Sequence, residues 1–407
     1  MKKLRAALIT LLVAVLALPG VAGPAQAASG TTFQLNAHVF DGGQQVVSLT
    51  LEASRYRISP RSLSVNTFQV HAKGSNPYTS LDPSTVFGTY DQYRTVTGVR
   101  LDRDGDIVIS LLSGDDAPGA YTFGWANSVG RNVMLDLEYT VTQRLPIRTA
   151  KGQLTFSSLS QGEVVDPEVD AYGAGVASNG IKYRLYTPPR TRQARPLIVW
   201  LHGGGEGGWE QAYDNDLPLI ANRGALGFST PKGQKIFRGA YVVAPQSPDF
   251  WLNDPAQGYS AKLKALIDEV VAAHPIDRDR IYVVGASNGG YMTMEMAANY
   301  PDYFAAAVPI CGVRVYNGAV LVSDAELRAM RRTPSWFVAA TSDPVVPFEE
   351  NTGYAVDVIG NARLSAYPDV VWNGRTYNGH WSWIYVGHND PEIGGQHLYQ
   401  WMAARQL

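Results

Sequence analysis

The chain has one cysteine, Cys311, in 407 residues. That excludes a disulfide within the chain, so stability rests on packing. Beyond the first twenty residues there is no apolar run long enough to cross a bilayer. Charge of one sign is also missing: 34 Lys and Arg stand against 36 Asp and Glu, a net of −2. With no basic cluster, nucleic acid and anionic membrane surfaces are excluded as partners. No H-E-x-x-H or comparable spacing of histidines is present, so no metal is expected, and no Gly-Lys-Ser/Thr or dinucleotide fingerprint calls for a cofactor. Internal repeats and low-complexity segments are absent. Cys311 ends the apolar run Ala305–Ile310 and reads as a buried structural thiol.

What is there begins with an export signal. Lys2, Lys3 and Arg5 precede an apolar stretch from Ala6 to Leu18, and Ala25-Gln26-Ala27 is a small-x-small cleavage site. Residues 1–27 are therefore expected to be a signal peptide, with the mature chain starting at Ala28 and secreted. About 380 residues remain, enough for two domains.

Two grammars follow. Residues 31–145 alternate apolar and polar side chains in short runs such as Thr32–Phe40, Gln45–Leu51, Thr67–Lys73 and Asn132–Val141, broken by Gly, Pro, Asn and Asp. About seven such runs predict an immunoglobulin-like β-sandwich. Asp102–Asp106 (DRDGD) lacks the spacing of a calcium loop and reads as an Asp-Gly hairpin turn. Residues 146–175 read as a linker. From residue 176 to 407, apolar strands (Pro196–Leu201, Ala240–Ala244, Arg280–Val284, Ala305–Ile310, Ser335–Ala340) alternate with helical stretches such as Ala261–Ala273. This predicts an α/β domain with a doubly wound, mostly parallel sheet, its site at the carboxyl ends of the strands.

Gly285-Ala286-Ser287-Asn288-Gly289 lies between one of those strands and a Met- and Ala-rich helix. A strand, a sharp turn carrying Ser, then a helix is a nucleophile elbow, which lifts one hydroxyl clear of the backbone. His202–Gly208 (HGGGEGG) follows another strand, where Gly204 and Gly205 can aim backbone N–H groups into a cleft. With the N–H of Asn288 they form an expected oxyanion hole. His202 itself is expected to orient that loop. Asp343 ends a strand where a carboxylate must sit to reach a histidine, with Asp357 and Asp369 as substitutes. For the base, His380 occupies a Gly- and Asn-rich loop after Asp369–Trp372, expected as the last strand; His388 and His397 are the other choices. The order Ser, Asp, His is that of an α/β-hydrolase. An aromatic rim for substrate is expected from Trp209, Phe250, Trp251, Trp381 and Trp383.

These motifs, together with Ala244-Pro245-Gln246 and Gly379-His380 with Trp383, resemble the secreted "predicted peptidase" esterases of the α/β-hydrolase superfamily. That group lies near the prolyl oligopeptidase-like and polyhydroxyalkanoate depolymerase-like families, and some members carry an immunoglobulin-like domain first. The resemblance implies a triad of Ser287, Asp343 and His380 and a serine carboxylesterase acting on a small-molecule or polymer ester, or else a serine peptidase. Trp381, where relatives carry an acidic or small residue, and the nearby His388 depart from the pattern and bear on substrate preference. A binding or adhesion protein with an inert hydrolase half is the alternative of another class. The sandwich is expected to shape the cleft entrance or to support a homo-oligomer.

Overall fold

The structure, a computed structural model, describes residues 25–28, 30–114, 117–189 and 193–407. Most of the expected signal peptide lies outside them. No helix among the described residues is long and apolar enough to cross a membrane.

The first half is a β-sandwich. One sheet runs in the order Leu159–Val165, Thr31–Phe40, Gly43–Leu51, Ile107–Leu111, Val96–Leu101; the facing sheet is Asp136–Gln143, Phe68–Ser75, Tyr90–Arg94. Strict alternation along Phe68–Ser75 buries Phe68, Val70 and Ala72 against Leu35, Leu49 and Ile109 of the other sheet. The Asp-Gly turn is a hairpin joining Val96–Leu101 to Ile107–Leu111. Asp102 Oδ1 accepts from the backbone N–H groups of Asp104, Gly105 and Asp106, so no cation is needed to order it.

Residues 146–175 are not a linker. Gly152–Phe156 pairs with Ile147–Thr149 and with Ala25–Ala28, and Leu159–Val165 adds a parallel edge strand to the sandwich. Tyr172–Val176 already belongs to the second domain's sheet. These strands are hard to read because the edge strand is polar and largely exposed, so it carries little apolar alternation. The long run Asn132–Val141 divides in two at Leu135. Asp136–Gln143 stays in the sandwich, while Arg131–Met134 joins Phe123–Ala126 and Val86–Phe87 in a small separate sheet.

The second half is an eight-stranded sheet, in the order Tyr172–Val176, Lys182–Tyr186, Tyr241–Pro245, Arg195–Leu201, Ile276–Ala286, Ala306–Ile310, Trp336–Ala340, Arg363–Tyr367. The first two pairings are antiparallel and the rest parallel, so Lys182–Tyr186 alone runs against the other seven strands. The last strand of the sheet is Arg363–Tyr367. Val370–Trp372, expected in that role, instead pairs with Arg375–Tyr377 in a hairpin of its own. The central strands are buried on both faces, which is why they read as continuous apolar runs. Leu197, Val199 and Leu201 pack with Leu263, Ile267 and Met292 on one face. Ile198 and Trp200 pack with Leu226, Phe228 and Trp401 on the other.

The two halves are joined by more than the chain. Arg223 Nη1 donates to Val39 O (2.6 Å) and pairs with Glu168. His388 Nε2 lies 2.7 Å from Asp41 Oδ1. Tyr78 meets Trp209 edge to face, with centroids 5.0 Å apart. These contacts set the small sheet of the first domain over the carboxyl ends of the second domain's strands.

Candidate active site

Ser287 stands between the strand Ile276–Ala286 and the helix Asn288–Asn299, at φ 56° and ψ −114°. A side chain at positive φ is strained, and strain of this kind is held only where the surroundings over-determine it. Here Ser287 N–H donates to Ile310 O (2.8 Å), and Ser287 O accepts from Tyr291 N–H (2.9 Å). The flanking glycines are required by close approach. A Cβ at Gly289 would run into the carbonyl oxygens of Leu201 and His202, and one at Gly285 into Gly289 itself.

Asp343 follows the strand Trp336–Ala340 and is 6% exposed. Its Oδ1 accepts from Val345 N–H (2.8 Å) and Val346 N–H (2.9 Å), which locks the carboxylate in its own turn. Oδ2 faces His380 Nδ1 at 2.8 Å. The His380 loop can come this close because Gly379 has no side chain: a Cβ there would lie 2.6 Å from Ser342 O. Asn378 Oδ1 accepts from His380 N–H, and the Cys311 thiol donates to His380 O at 3.2 Å. Burial works against a charged ring at His380. The adjacent Cys311 sulfur and the Asp343 carboxylate outweigh it, and the net pKa shift is upward.

Ser287 and His380 line one cavity of about 660 Å³, together with Gly203, Gly204 and Gly205. Asn288 begins the helix directly after Ser287. Its side-chain Oδ1 accepts from Leu252 N–H (3.1 Å), which fixes the start of that helix. The Gly-rich loop is braced from below. His202 Nδ1 lies 2.6 Å from Gly203 O, and its Nε2 accepts from Ser247 N–H (3.0 Å). Burial pushes the His202 pKa down to about 3, so the ring is neutral and fixed as one tautomer. Gln246 Nε2 donates to Glu206 O (2.9 Å).

The other expected residues divide. His388 stacks on Trp372 (4.4 Å, 15°) and pairs with Asp41, away from Asp343. His397 precedes the last helix and pairs with Glu392. Asp357 lies on the helix Tyr354–Ile359, and Asp369 accepts from Tyr385 through its backbone carbonyl. Phe250, Trp381 and Trp383 do line the cavity. Trp251 does not: it is fully buried between His202 and Tyr259. Neither does Trp209, which is taken up in the contact with Tyr78 between the domains. Being one position from Phe250 puts Trp251 on the opposite side of its short turn, a parity that aromatic content alone does not reveal.

Several lining residues come from the first domain. Asp41, Phe123, Trp125 and Asn132 all face the cavity. Trp125 and Asn132 sit over Gly205, within 3.2 Å and 3.1 Å of where its Cβ would be. Arg131 lies over the Phe250 ring at 3.3 Å and its Nε donates to Gly208 O (3.3 Å). No local motif marks these residues. Glu206 is also in the wall, 7% exposed, its Oε1 accepting from Asn222 Nδ2 (3.1 Å).

The fold and site define an α/β-hydrolase that carries an immunoglobulin-like domain at its N-terminal side. More particularly, residues 34–155 match the esterase Ig-like N-terminal domain and residues 181–368 the esterase PHB depolymerase family, so the chain joins these two esterase domains. A solved thermostable esterase superposes with a TM-score of 0.75 at 26% identity, covering 92% of this chain and 99% of that one. Poly(3-hydroxyalkanoate) depolymerase C of Paucimonas lemoignei is 50% identical over 129 residues, 29% of this chain and 28% of its own length. Feruloyl esterase B of Neurospora crassa is 32% identical over 145 residues, 33% of this chain and 46% of its own. The chain thus spans less than half the length of either of these curated relatives.

Proposed function

We propose that this protein is a secreted serine carboxylesterase that works through an acyl-enzyme on Ser287. The observation that carries the reading is the Asp343-bound His380 sharing one cavity with a strained, strand-to-helix Ser287 and the Gly203–Gly205 loop. His380 takes the Ser287 proton through Nε2, since Nδ1–H is committed to Asp343. Ser287 Oγ attacks the ester carbonyl. The backbone N–H groups of Asn288 and of Gly204 or Gly205 receive the oxyanion. Collapse of the tetrahedral intermediate expels the alcohol, which takes the proton from His380. Water, deprotonated by His380, then frees the acid.

Esters are favoured over peptides because both matched families, the solved thermostable esterase and feruloyl esterase B are esterases. The aromatic walls (Phe123, Trp125, Phe250, Trp381 and Trp383) suit an apolar or aryl group on the ester. Export rests on the charged and apolar leader with its Ala25-Gln26-Ala27 site. The test compares 4-nitrophenyl esters of rising chain length with aminoacyl and peptide anilides. Wild type is expected to turn over esters and not anilides, and Ser287→Ala to lose turnover and fluorophosphonate labelling. An active Ser287→Ala ends the proposal.

A further inference from the structure

Glu206 has no part in the proton transfers just described, yet it is an acid in the wall of the reaction cavity. It belongs to the turn Gly204–Glu206, and its backbone carbonyl is held by Gln246. One carboxyl oxygen, Oε1, is bound by Asn222 Nδ2, itself a lining residue. The other, Oε2, points to Gly203, 3.1 Å from where a Cβ would be; that same point is 3.9 Å from Ser287 Cβ. Glu206 Oε2 and Ser287 Cβ thus both lie within 4 Å of one point beside Gly203, in the cavity that both residues line. The same wall carries the aromatic side chains Phe123, Trp125, Phe250, Tyr316, Trp381 and Trp383. Burying an acid in such a wall costs free energy, and burial pushes its pKa up to about 7 against the opposing effects of its hydrogen bonds, His380 and Arg131. A negative charge beside the oxyanion would also work against the tetrahedral intermediate. Bracing of the loop does not require an acid, since a glutamine would accept from Asn222 equally well.

We propose that Glu206 is a specificity-determining residue that accepts a hydrogen bond from a substrate hydroxyl lying within a few bonds of the ester carbonyl. The inference rests on ester hydrolysis at Ser287. A hydroxyl fits better than an ammonium group. A cation there would stand near the imidazolium that forms on His380 and near the Arg131 guanidinium, and would oppose both. A buried acceptor that is left unpaired by a substrate lacking the hydroxyl penalises that substrate, which is how a polar group in an apolar pocket discriminates.

The hydroxyl can sit on either side of the ester, and two matched pairs separate the cases. For the acyl side, 4-nitrophenyl 3-hydroxybutyrate is compared with 4-nitrophenyl butyrate; for the alcohol side, the 2-hydroxyethyl ester of butyric acid is compared with its propyl ester. Wild type is expected to prefer the hydroxylated member of one pair by about tenfold in kcat/KM. In Glu206→Ala that ratio falls to about one. Reading the ratio within a pair cancels any general loss from loop bracing or partial unfolding. A wild-type ratio near one in both pairs overturns the proposal without recourse to variants, as does a preference that survives Glu206→Ala. Absence of all ester turnover and of fluorophosphonate labelling in wild type would instead overturn the assignment of Ser287.

Discussion

Replacing Asp343 by Asn tests the charge arrangement with almost no change of shape. Asp343 Oδ1 is held by the N–H groups of Val345 and Val346 at 2.8 Å and 2.9 Å. In Asp343→Asn the amide oxygen takes over those two bonds, because the amide nitrogen has no lone pair to accept them. The NH2 group is then turned toward His380 Nδ1, where Oδ2 stood at 2.8 Å. Nδ1 must now accept, and the ring proton moves to Nε2, the nitrogen that removes the proton of Ser287 in the proposed mechanism. The equivalent swap in a serine protease triad costs about 10⁴ in kcat. A loss of about 10³ to 10⁴ is expected here, or about 4–5.5 kcal/mol of transition-state stabilisation. The shift in acidity has a definite sign as well. With the carboxylate gone, one of the influences raising the His380 pKa is removed, so the acid limb of any residual activity moves to lower pH. The assay is kcat/KM on 4-nitrophenyl butyrate from pH 5 to 9, with the rate of fluorophosphonate labelling followed in parallel. A loss smaller than tenfold in a variant that melts as wild type does would refute the argument.

Two further outcomes are expected. Trp125→Ala removes an indole that the first domain contributes to the cavity, and should raise KM for aryl esters about fivefold, corresponding to about 1 kcal/mol of lost apolar contact, with kcat little changed; steady-state kinetics on aryl and methyl esters check this, and an equal effect on both would refute it. Glu295, on the helix after Ser287, is 5% exposed, its Oε1 has no hydrogen-bond partner among the described residues, and burial raises its pKa to about 8. The native state therefore holds a proton that the unfolded chain releases near pH 4.5, so this residue's contribution is complete below about pH 4.5 and is lost as pH rises to about 8. Glu295→Gln should flatten the decline in denaturation midpoint between pH 5 and 8 by an amount equivalent to up to a few kcal/mol; parallel declines in variant and wild type would refute it.

Much of this protein is encoded locally and is therefore legible in the order of its residues. The elbow at Ser287 is a strand, a turn and a helix in direct succession, and its glycines answer contacts within a few residues or with the adjacent strand. The central strands stand out because burial on both faces leaves Pro196–Leu201 and Ala306–Ile310 without a polar residue. Leu159–Val165 does not, because an exposed edge strand has no apolar face to show.

The sequence by itself determined the two-domain class and the strand, turn and helix around Ser287, since each follows from short-range pattern. Only the tertiary structure decided which histidine meets Asp343: His380 approaches it at 2.8 Å and His388 approaches Asp41 at 2.7 Å, across 37 and 347 residues of chain. It also decided which aromatics face the cavity, and that Phe123, Trp125 and Asn132 close it from the first domain. Contacts between separately folded sheets depend on how two surfaces dock, and no periodicity within either segment encodes that.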